Sequence, residues 1–360
     1  MLRRFLAPLA LLLALVPTLA TRACAQDVKL YGYHTYWMGD RWQAAAPYLD
    51  GLFFFDVEIN PDGGLGKTNG FPDAWQAFGA ASKAQGMFVP TFTMFDSTAF
   101  RTVFASAANR ARLVGEIDAL VTRSGADGAH LDVEMFGPVP AAAREGFSRF
   151  TEALRQRLGA KHLSVFLPAN DWADAYDEAR LARSVDFMSV QGYDLHWMTG
   201  PDAGPVAPLR GAGLTWRGIV DRYVALGIPR AKLYLTFPLY GYEWPTETGA
   251  PGSKTRGAGR TITYHPVPAD LTPDLQVSAT ARAAQYGARR DAASGSPYYA
   301  FQDATGGWNQ GWYEDAQSLA EKVAFVRQER LGGLVFFPLG YDDADLVRTV
   351  RPPRTASRRR

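Results

Sequence analysis

The sequence predicts an α/β protein built as a closed (β/α)8 TIM barrel, with a small α+β insertion between strand 7 and helix 7. Three observations support this fold. Eight short segments rich in apolar residues are mostly separated by helical patterns along the 360 residues, and such alternation is typical of parallel strands joined by helices. Several segments are apolar almost throughout, as in strands that are covered on both faces. Polar and aromatic residues gather at the ends of the segments, where the catalytic rim of a barrel lies.

The eight strands are predicted from short apolar runs bounded by turn residues. In chain order they cover residues 28–34, 51–58, 86–93, 127–134, 163–168, 186–194, 232–240 and 332–340. Apolar residues repeat with a helical period in the intervening stretches. These stretches predict helices over residues 72–85, 108–124, 141–158, 174–185, 216–226 and 315–330.

Residues 241–314 interrupt the alternation. This segment is rich in glycine and proline and contains only short strand-like pieces, at 260–264 and 297–301. Because an unstructured loop of this length is unusual in a compact domain, we predict a small subdomain beside the rim.

The first 25 residues have the features of a secretory signal peptide. Arg3 and Arg4 precede an apolar run over residues 5–19, and small residues flank Cys24 at the expected cleavage position. We therefore expect a secreted protein, extracellular or periplasmic, with no membrane association after cleavage. Cys24 is the only cysteine, so cleavage after Ala25 leaves no disulfide or thiolate metal site. Lipid attachment to Cys24 is the alternative.

The net charge of +2 conceals an acidic body. Three arginines fall within residues 1–25 and five within the last ten residues, and neither segment contains an acid. A body with an excess of acids lacks the basic surface that is typical of nucleic-acid binding. We assign residues 26–350 to one catalytic barrel, insertion included, and residues 351–360 to a basic disordered tail.

The stretch with the most chemical potential is residues 127–134, Asp-Gly-Ala-His-Leu-Asp-Val-Glu. Its polar and apolar residues alternate with the period of a strand, which places His130, Asp132 and Glu134 on one face. Two close carboxylates disfavour double ionisation, and this raises the pKa of one of them. Such pairs are typical of glycosidases. Asp127 is spaced off this face, so we predict that it fixes a turn or the lower barrel layer.

Five segments in this order resemble glycoside hydrolase family 18, the chitinase-like family, whose relatives include wall-lytic N-acetylglucosaminidases. They are Asp-Gly-x-x-x-Asp-x-Glu at 127–134, Tyr-Asp at 193–194, Phe-Pro-Leu-Tyr-Gly at 237–241, Trp-Tyr-Glu-Asp-Ala-Gln-Ser at 312–318 and Leu-Gly-Tyr-Asp-Asp at 339–343. The resemblance extends over essentially all of residues 28–348.

The resemblance implies retaining, substrate-assisted hydrolysis of a β-linked N-acetylglucosamine bond, in which the 2-acetamido group of the sugar is the nucleophile. Glu134 would be the proton donor and later the base. Asp132 would hold the acetamido N–H and stabilise the charged intermediate. The hydroxyl of Tyr193 would bind the acetamido oxygen. These three residues form the predicted catalytic set, and neither a cofactor nor a metal is implied.

The predicted substrate-binding residues lie in or near the rim. They are Asp194, Gln191, Met188, Tyr240, Phe337, Trp37 and Phe55. Asp127 and His130 are predicted to support the site. The rim loops are also dense in aromatic residues, which collectively suit a groove that stacks sugar rings; they include Tyr36, Trp172, Trp197, Trp244, Trp308 and Trp312.

Two positions depart from the family pattern. His130 stands where the family usually has an aspartate. It could still hydrogen-bond Asp132 while changing the pKa of that carboxyl, and we expect activity to survive with a shifted pH profile. The alternative is a buried histidine that is simply satisfied within the core. Phe337 stands where the family usually has a tryptophan beneath the sugar, and phenylalanine covers less of a sugar ring.

The sequence therefore favours a secreted, monomeric glycosidase whose partner is a polysaccharide containing β-1,4-linked N-acetylglucosamine, such as chitin or chito-oligosaccharides. Peptidoglycan is the alternative substrate. A lectin-like protein that binds carbohydrate without catalysis is the alternative class, and the presence of Glu134 argues against it.

Overall fold

The computed structural model describes residues 28–354. Its strands are β1 (Lys29–Thr35), β2 (Gly51–Glu58), β3 (Met87–Met94), β4 (Gly128–Val133), β5 (His162–Leu167), β6 (Phe187–Gln191), β7 (Leu233–Pro238), β8 (Tyr240–Thr246), β9 (Arg260–Thr263), β10 (Arg289–Arg290), β11 (Pro297–Gln302), β12 (Trp308–Trp312) and β13 (Gly333–Phe337). Its α-helices are α1 (Gln76–Gln85), α2 (Ser97–Ala105), α3 (Ala107–Ser124), α4 (Ala141–Leu158), α5 (Glu178–Ser184), α6 (Trp216–Ala225), α7 (Ala279–Tyr286), α8 (Ala316–Gln328) and α9 (Val347–Val350). Short 3-10 helices cover Tyr36–Ala44, Ala46–Tyr48, Asp73–Trp75 and Arg230–Lys232.

Strands β1 to β7 and β13 form a closed parallel barrel in the order β1-β13-β7-β6-β5-β4-β3-β2. Strand β13 closes the barrel, because it pairs with β1 on one side and with β7 on the other. The predicted (β/α)8 barrel and its eight strands are confirmed, with ends that differ from the predicted ones by a few residues.

Side-chain alternation along β4 sends its residues to two parts of the core, the interior of the barrel and the space between the barrel and the helices. Leu131 and Val133 pack into the large cluster that also contains buried helix residues such as Phe147. His130 and Asp132 point the other way, into the barrel, where the ring of His130 stacks on Phe53 with centroids 4.6 Å apart. The period-two pattern therefore oriented this strand correctly.

The six predicted helices are present, and three of the described α-helices, α2, α7 and α9, were not predicted. Helices α2 and α7 are capped by Asp96 and Ser278, whose side-chain oxygens accept N–H groups of the first turn. The predicted helix 174–185 begins later than expected, at Glu178. The cause is Asp171, whose carboxylate binds two following N–H groups in a turn that precedes the helix.

The predicted insertion after strand 7 is a five-stranded sheet in the order β10-β11-β12-β8-β9, accompanied by α7. The expectation that strand 7 continues to Tyr240 is wrong: β7 ends at Pro238, and Tyr240 opens the insertion sheet. Leu239 lies between the two strands, and its N–H donates to the carbonyl of Phe337 (2.8 Å), which is the last residue of β13.

The two ends of the described chain meet at Asp50, which lies just before β2 on the face opposite the rim. Lys29 (3.3 Å) and Arg351 (2.8 Å) both pair with its carboxylate. The N–H of Arg354 donates to the carbonyl of Pro47 (2.7 Å). The predicted disordered tail is therefore wrong for residues 351–354, because these arginines find carbonyl and carboxylate partners.

The predicted signal peptide over residues 1–25 and the remaining residues of the predicted tail lie outside the described residues. Within residues 28–354, no helix has both the length and the apolar character needed to cross a bilayer.

Candidate active site

Glu134 lies immediately after β4, at the carboxyl end of the barrel. Its N–H donates to the carbonyl of Met94 (2.9 Å), which extends the pairing of β3 and β4 by one residue. Burial, followed by the charge of Asp194, raises the pKa of Glu134 from 4.5 to about 7. A carboxyl with this pKa holds a proton close to neutral pH, as a general acid must.

Tyr176 fixes the main chain on both sides of Glu134. Its buried hydroxyl donates to the carbonyl of Val133 (2.5 Å) and accepts the N–H of Met135 (3.2 Å). Sequence reasoning missed this residue, because a tyrosine in a turn gives no local sign of a contact made 43 residues away along the chain.

Asp132 lies one layer below Glu134 and is 5% exposed. Burial, followed by the charges of Glu134 and Asp56, raises the pKa of Asp132 well above its usual value. Among the described residues, no donor contacts its Oδ1 atom. Since a buried polar atom without a partner is costly, this oxygen is poised to accept an N–H or hydroxyl from a ligand.

His130 forms the layer beneath, and both of its ring nitrogens are engaged. Nε2 lies 2.7 Å from the hydroxyl of Tyr33, and Nδ1 lies 2.7 Å from the hydroxyl of Ser164. The same Ser164 hydroxyl lies 2.8 Å from Nε2 of His162. Burial lowers the pKa of His130 well below its usual value, so the ring is neutral. The interpretation that His130 hydrogen-bonds Asp132 is wrong, because hydroxyl groups occupy both nitrogens.

Asp127 precedes β4 and lies at the opposite end of the strand from Glu134. Its Oδ2 accepts the N–H of Phe88 (2.8 Å), and its own N–H donates to the carbonyl of Phe88 (2.8 Å). Asp127 therefore joins the start of β4 to β3 in the lower part of the barrel, as the sequence predicted.

Aromatic side chains from β2 and β13 and from the segments that follow β1 and β6 meet above the barrel interior. The ring of Tyr193 stacks on Phe337 with centroids 5.7 Å apart. Phe337 contacts the edge of Phe55 (5.9 Å), which contacts Trp37 (5.9 Å) in turn. Burial, followed by the charges of Glu134 and Asp132, raises the pKa of Tyr193 well above its usual value. Its hydroxyl is therefore protonated and able to donate.

Asp194 is held by two tyrosines of the insertion sheet. The hydroxyls of Tyr240 (2.8 Å) and Tyr242 (2.9 Å) both donate to its Oδ1 atom. Burial raises the pKa of Asp194, and the two hydrogen bonds oppose that shift. Sequence reasoning identified Tyr240 but missed Tyr242, although two residues of one strand spaced by two share a face.

A cavity of about 390 Å³ opens beside Glu134, between the loops that follow β4, β5 and β6. Gln191 and Asp194 line it, and Gln191 accepts the N–H of Ala169 at 3.4 Å. Aromatic side chains at its edge are widely exposed: Phe136 and Trp172 are each 80% exposed, and Trp197 is 49% exposed.

The structure removes three residues from the set that was expected to form a sugar-binding surface. Met188 is fully buried in the large cluster outside the barrel, since it lies three positions before Gln191 on β6 and so points to the opposite face. Trp244 and Trp312 are buried in the insertion, with exposures of 0% and 1%. The other predicted catalytic and substrate-binding residues lie in the upper barrel or at its rim.

The described residues thus combine a proton donor, a carboxylate oxygen without a partner, a protonated phenol and flat apolar surfaces. This set can protonate a ligand oxygen, accept a ligand N–H and stack on a sugar ring. Within residues 28–354, no three side chains of His, Cys, Asp or Glu are grouped to hold a metal ion.

Comparison with known proteins places these features in a family. Residues 92–342 match the model described as glycosyl hydrolases family 18. The putative sporulation-specific glycosylase YdhD of Bacillus subtilis is 29% identical over 303 residues, covering 79% of this chain and 64% of its own length. Chitotriosidase-1 of Mus musculus is 29% identical over 272 residues, covering 69% of this chain and 56% of its own length. The chain thus spans less than two thirds of either relative.

The spore cortex-lytic enzyme SleL of Bacillus cereus shares the fold, with a TM-score of 0.73 and 20% identity over 91% of this chain and 75% of that chain. The family model spans the strand that carries Glu134, the rim tyrosines and β13. The family that the sequence motifs resembled is therefore confirmed, and the chain belongs to glycosyl hydrolase family 18.

Proposed function

We propose that this chain hydrolyses β-1,4-linked N-acetylglucosamine glycans, with chitin or chito-oligosaccharides as substrates, and that it retains the configuration of the anomeric carbon. The observation that carries the proposal is the pairing of Glu134, whose pKa is raised to about 7, with the partnerless Oδ1 of Asp132 directly below. Family membership and the similarity to chitotriosidase-1 support the same substrate class.

In the proposed reaction, Glu134 donates its proton to the glycosidic oxygen while the acetamido oxygen of the substrate attacks the anomeric carbon. The bond between that carbon and the leaving oxygen breaks, and a cyclic oxazolinium forms. Asp132 accepts the acetamido N–H and stabilises the positive charge. The hydroxyl of Tyr193 donates to the acetamido oxygen and orients it. Water then attacks the same carbon, the bond between that carbon and the acetamido oxygen breaks so that the acetamido group is restored, and the attacking water gives a proton to the Glu134 carboxylate.

Peptidoglycan glycan strands are the second candidate substrate. This alternative is favoured by the similarity to a sporulation-specific glycosylase and by the fold shared with a spore cortex-lytic enzyme. We also propose that the protein is secreted, on the basis of the signal-like residues 1–25, and that it acts as a monomer, since strands of this one chain close the barrel.

Reducing-end release from chitohexaose and from purified peptidoglycan tests the proposal. The wild type is expected to cleave chitohexaose to products of retained anomeric configuration, as followed by proton NMR. Glu134→Gln preserves the shape of the side chain and is expected to lower kcat by about 10² to 10⁴.

A fully deacetylated oligomer is the matched substrate control, because it lacks the proposed nucleophile. Turnover of that oligomer at the rate of chitohexaose would contradict the substrate-assisted route. Cleavage of peptidoglycan alone would favour the second substrate, and binding without any turnover would favour the lectin class.

A further inference from the structure

Exposed apolar side chains are concentrated in one sector of the catalytic rim. They follow β3, β4, β5 and β6, and they are Phe95, Phe136, Trp172, Trp197, Met198 and Leu214. The aromatic residues of the adjoining insertion sheet are largely buried, as Tyr242 and Trp244 are, and Trp244 donates to the carbonyl of Met198 (3.0 Å). The loops that follow β4, β5 and β6 therefore present an exposed apolar wall beside Glu134.

Among residues 28–354, the side chains that line the cavity in this sector include no lysine, arginine or histidine, and their titratable acids are Glu134 and Asp194. Arg144 contacts the main chain of one lining residue, Tyr176, and pairs with an acid that does not line the cavity. Its Nε donates to the carbonyl of Tyr176 (2.8 Å), and Nη1 pairs with Asp174 (3.5 Å).

Burial raises the pKa of both acids, so a protonated Glu134 and a carboxyl at Asp194 face this space. The polar groups beside them are neutral amides, Asn170 and Gln191. An uncharged sugar can bury its apolar face on the indole rings and direct hydroxyl groups to the amides. A carboxylate in the same place loses its hydration against apolar walls and finds no counter-ion to replace it, which weakens binding.

We propose that this cavity binds the leaving-group sugar and selects an uncharged residue there, excluding sugars that carry a lactyl carboxylate or an attached peptide. The inference rests on the proposed function, because it assigns the cavity to the substrate side released after Glu134 donates its proton. Trp172, Trp197 and Leu214 are then the residues that determine specificity.

Two tetrasaccharides that differ at one position test this selectivity. One is chitotetraose, and the other carries N-acetylmuramic acid, with its lactyl carboxylate, on the leaving side of the scissile bond. We expect kcat/KM to be at least about tenfold higher for the uncharged tetrasaccharide at pH 6. Trp172→Ala and Trp197→Ala are expected to raise KM for chitotetraose about three- to tenfold with smaller changes in kcat. Leu226→Ala, at the end of α6 and 41% exposed, is the matched control and is expected to leave KM unchanged.

Leu214→Arg places a cation at the edge of the cavity and is expected to raise kcat/KM for the carboxylate-bearing tetrasaccharide relative to chitotetraose. Equal kcat/KM for the two tetrasaccharides with the wild type would overturn the inference while leaving the proposed function intact. An absence of cleavage of both tetrasaccharides by the wild type would instead overturn the proposed function itself.

Discussion

His130 and Asp132 lie two residues apart on β4 and point into the same barrel, yet their surroundings differ in kind. Both nitrogens of His130 have hydroxyl partners, at 2.7 Å each, and its ring stacks on Phe53. Asp132 keeps a buried oxygen that no donor among the described residues contacts. His130 is thus fully partnered as folded, whereas Asp132 lacks a hydrogen bond that a ligand can supply. Variants in the upper layer should therefore change activity, and variants in the lower layer should change stability.

The largest expected effect is that of Asp132→Asn. We expect kcat on chitohexaose to fall about 10² to 10³, because an amide does not supply the negative charge that stabilises the intermediate. The free energy of unfolding should stay constant or rise at neutral pH, since the variant removes a buried group that resists ionisation. Kinetics and urea unfolding at pH 7 measure both quantities. A loss of stability as large as that caused by truncating a buried apolar side chain would contradict the proposed difference between Asp132 and His130.

The next effect is the pH dependence set by Glu134. Its folded pKa of about 7 lies above the unfolded value of 4.5, so the stabilising contribution is complete below pH 4.5 and is lost as the pH rises through 7. We expect kcat/KM to fall about tenfold per pH unit above pH 7, because the acid must be protonated. Between pH 5 and 8, the wild type should lose on the order of 2 kcal/mol of stability that Glu134→Gln retains. A flat alkaline limb would contradict this assignment.

Ser164→Ala tests the lower layer. The variant leaves Nδ1 of His130 and Nε2 of His162 without the hydroxyl that now contacts both. We expect the free energy of unfolding to fall by about 1–3 kcal/mol, with kcat changed by less than about threefold. Thr151→Ala provides a control, since it removes another buried hydroxyl, which bonds a helix carbonyl remote from this layer. A large loss of kcat for Ser164→Ala alone would show that the two layers are coupled.

The smallest effect is expected for His130→Asp. This variant places an acid in the lower layer and so tests whether a titratable group at residue 130 influences Asp132. A carboxyl near Asp132 disfavours ionisation of both groups, so we expect activity to remain and the pH–rate curve to shift by about one unit or less. Recording kcat/KM from pH 4 to 9 for both proteins measures the shift. Superimposable curves would count against an electrostatic role for residue 130.

The sequence was sufficient for the barrel and for the acids, because both depend on local patterns. Strand periodicity placed Asp132 and Glu134 on one face, and family motifs identified Tyr193 and Asp194. Contacts that depend on distant segments could not be predicted in this way. One example is the Tyr176 hydroxyl, which binds the main chain on either side of Glu134, and another is Ser164, which contacts two histidines. Both contacts form only when strands and turns that are far apart in sequence pack together.

Met188 shows where motif proximity misleads. It lies close in sequence to the rim residues, but strand alternation takes it into the core outside the barrel. The same alternation applied to the insertion would have paired Tyr242 with Tyr240. No sequence pattern predicts which aromatic residues of the loops are exposed, since nothing in the neighbouring sequence distinguishes the exposed Trp172 from the buried Trp312.

The convergence of both described ends on Asp50 has a practical consequence for immobilising the protein on a support. Lys29 and Arg351 reach the same carboxylate at the amino ends of the strands, on the face opposite Glu134. A tether joined at residue 28 or at residue 354 would therefore attach to the face of the barrel opposite the cleft. A bead coupled at either of these two positions is expected to leave the cleft accessible to an insoluble polymer.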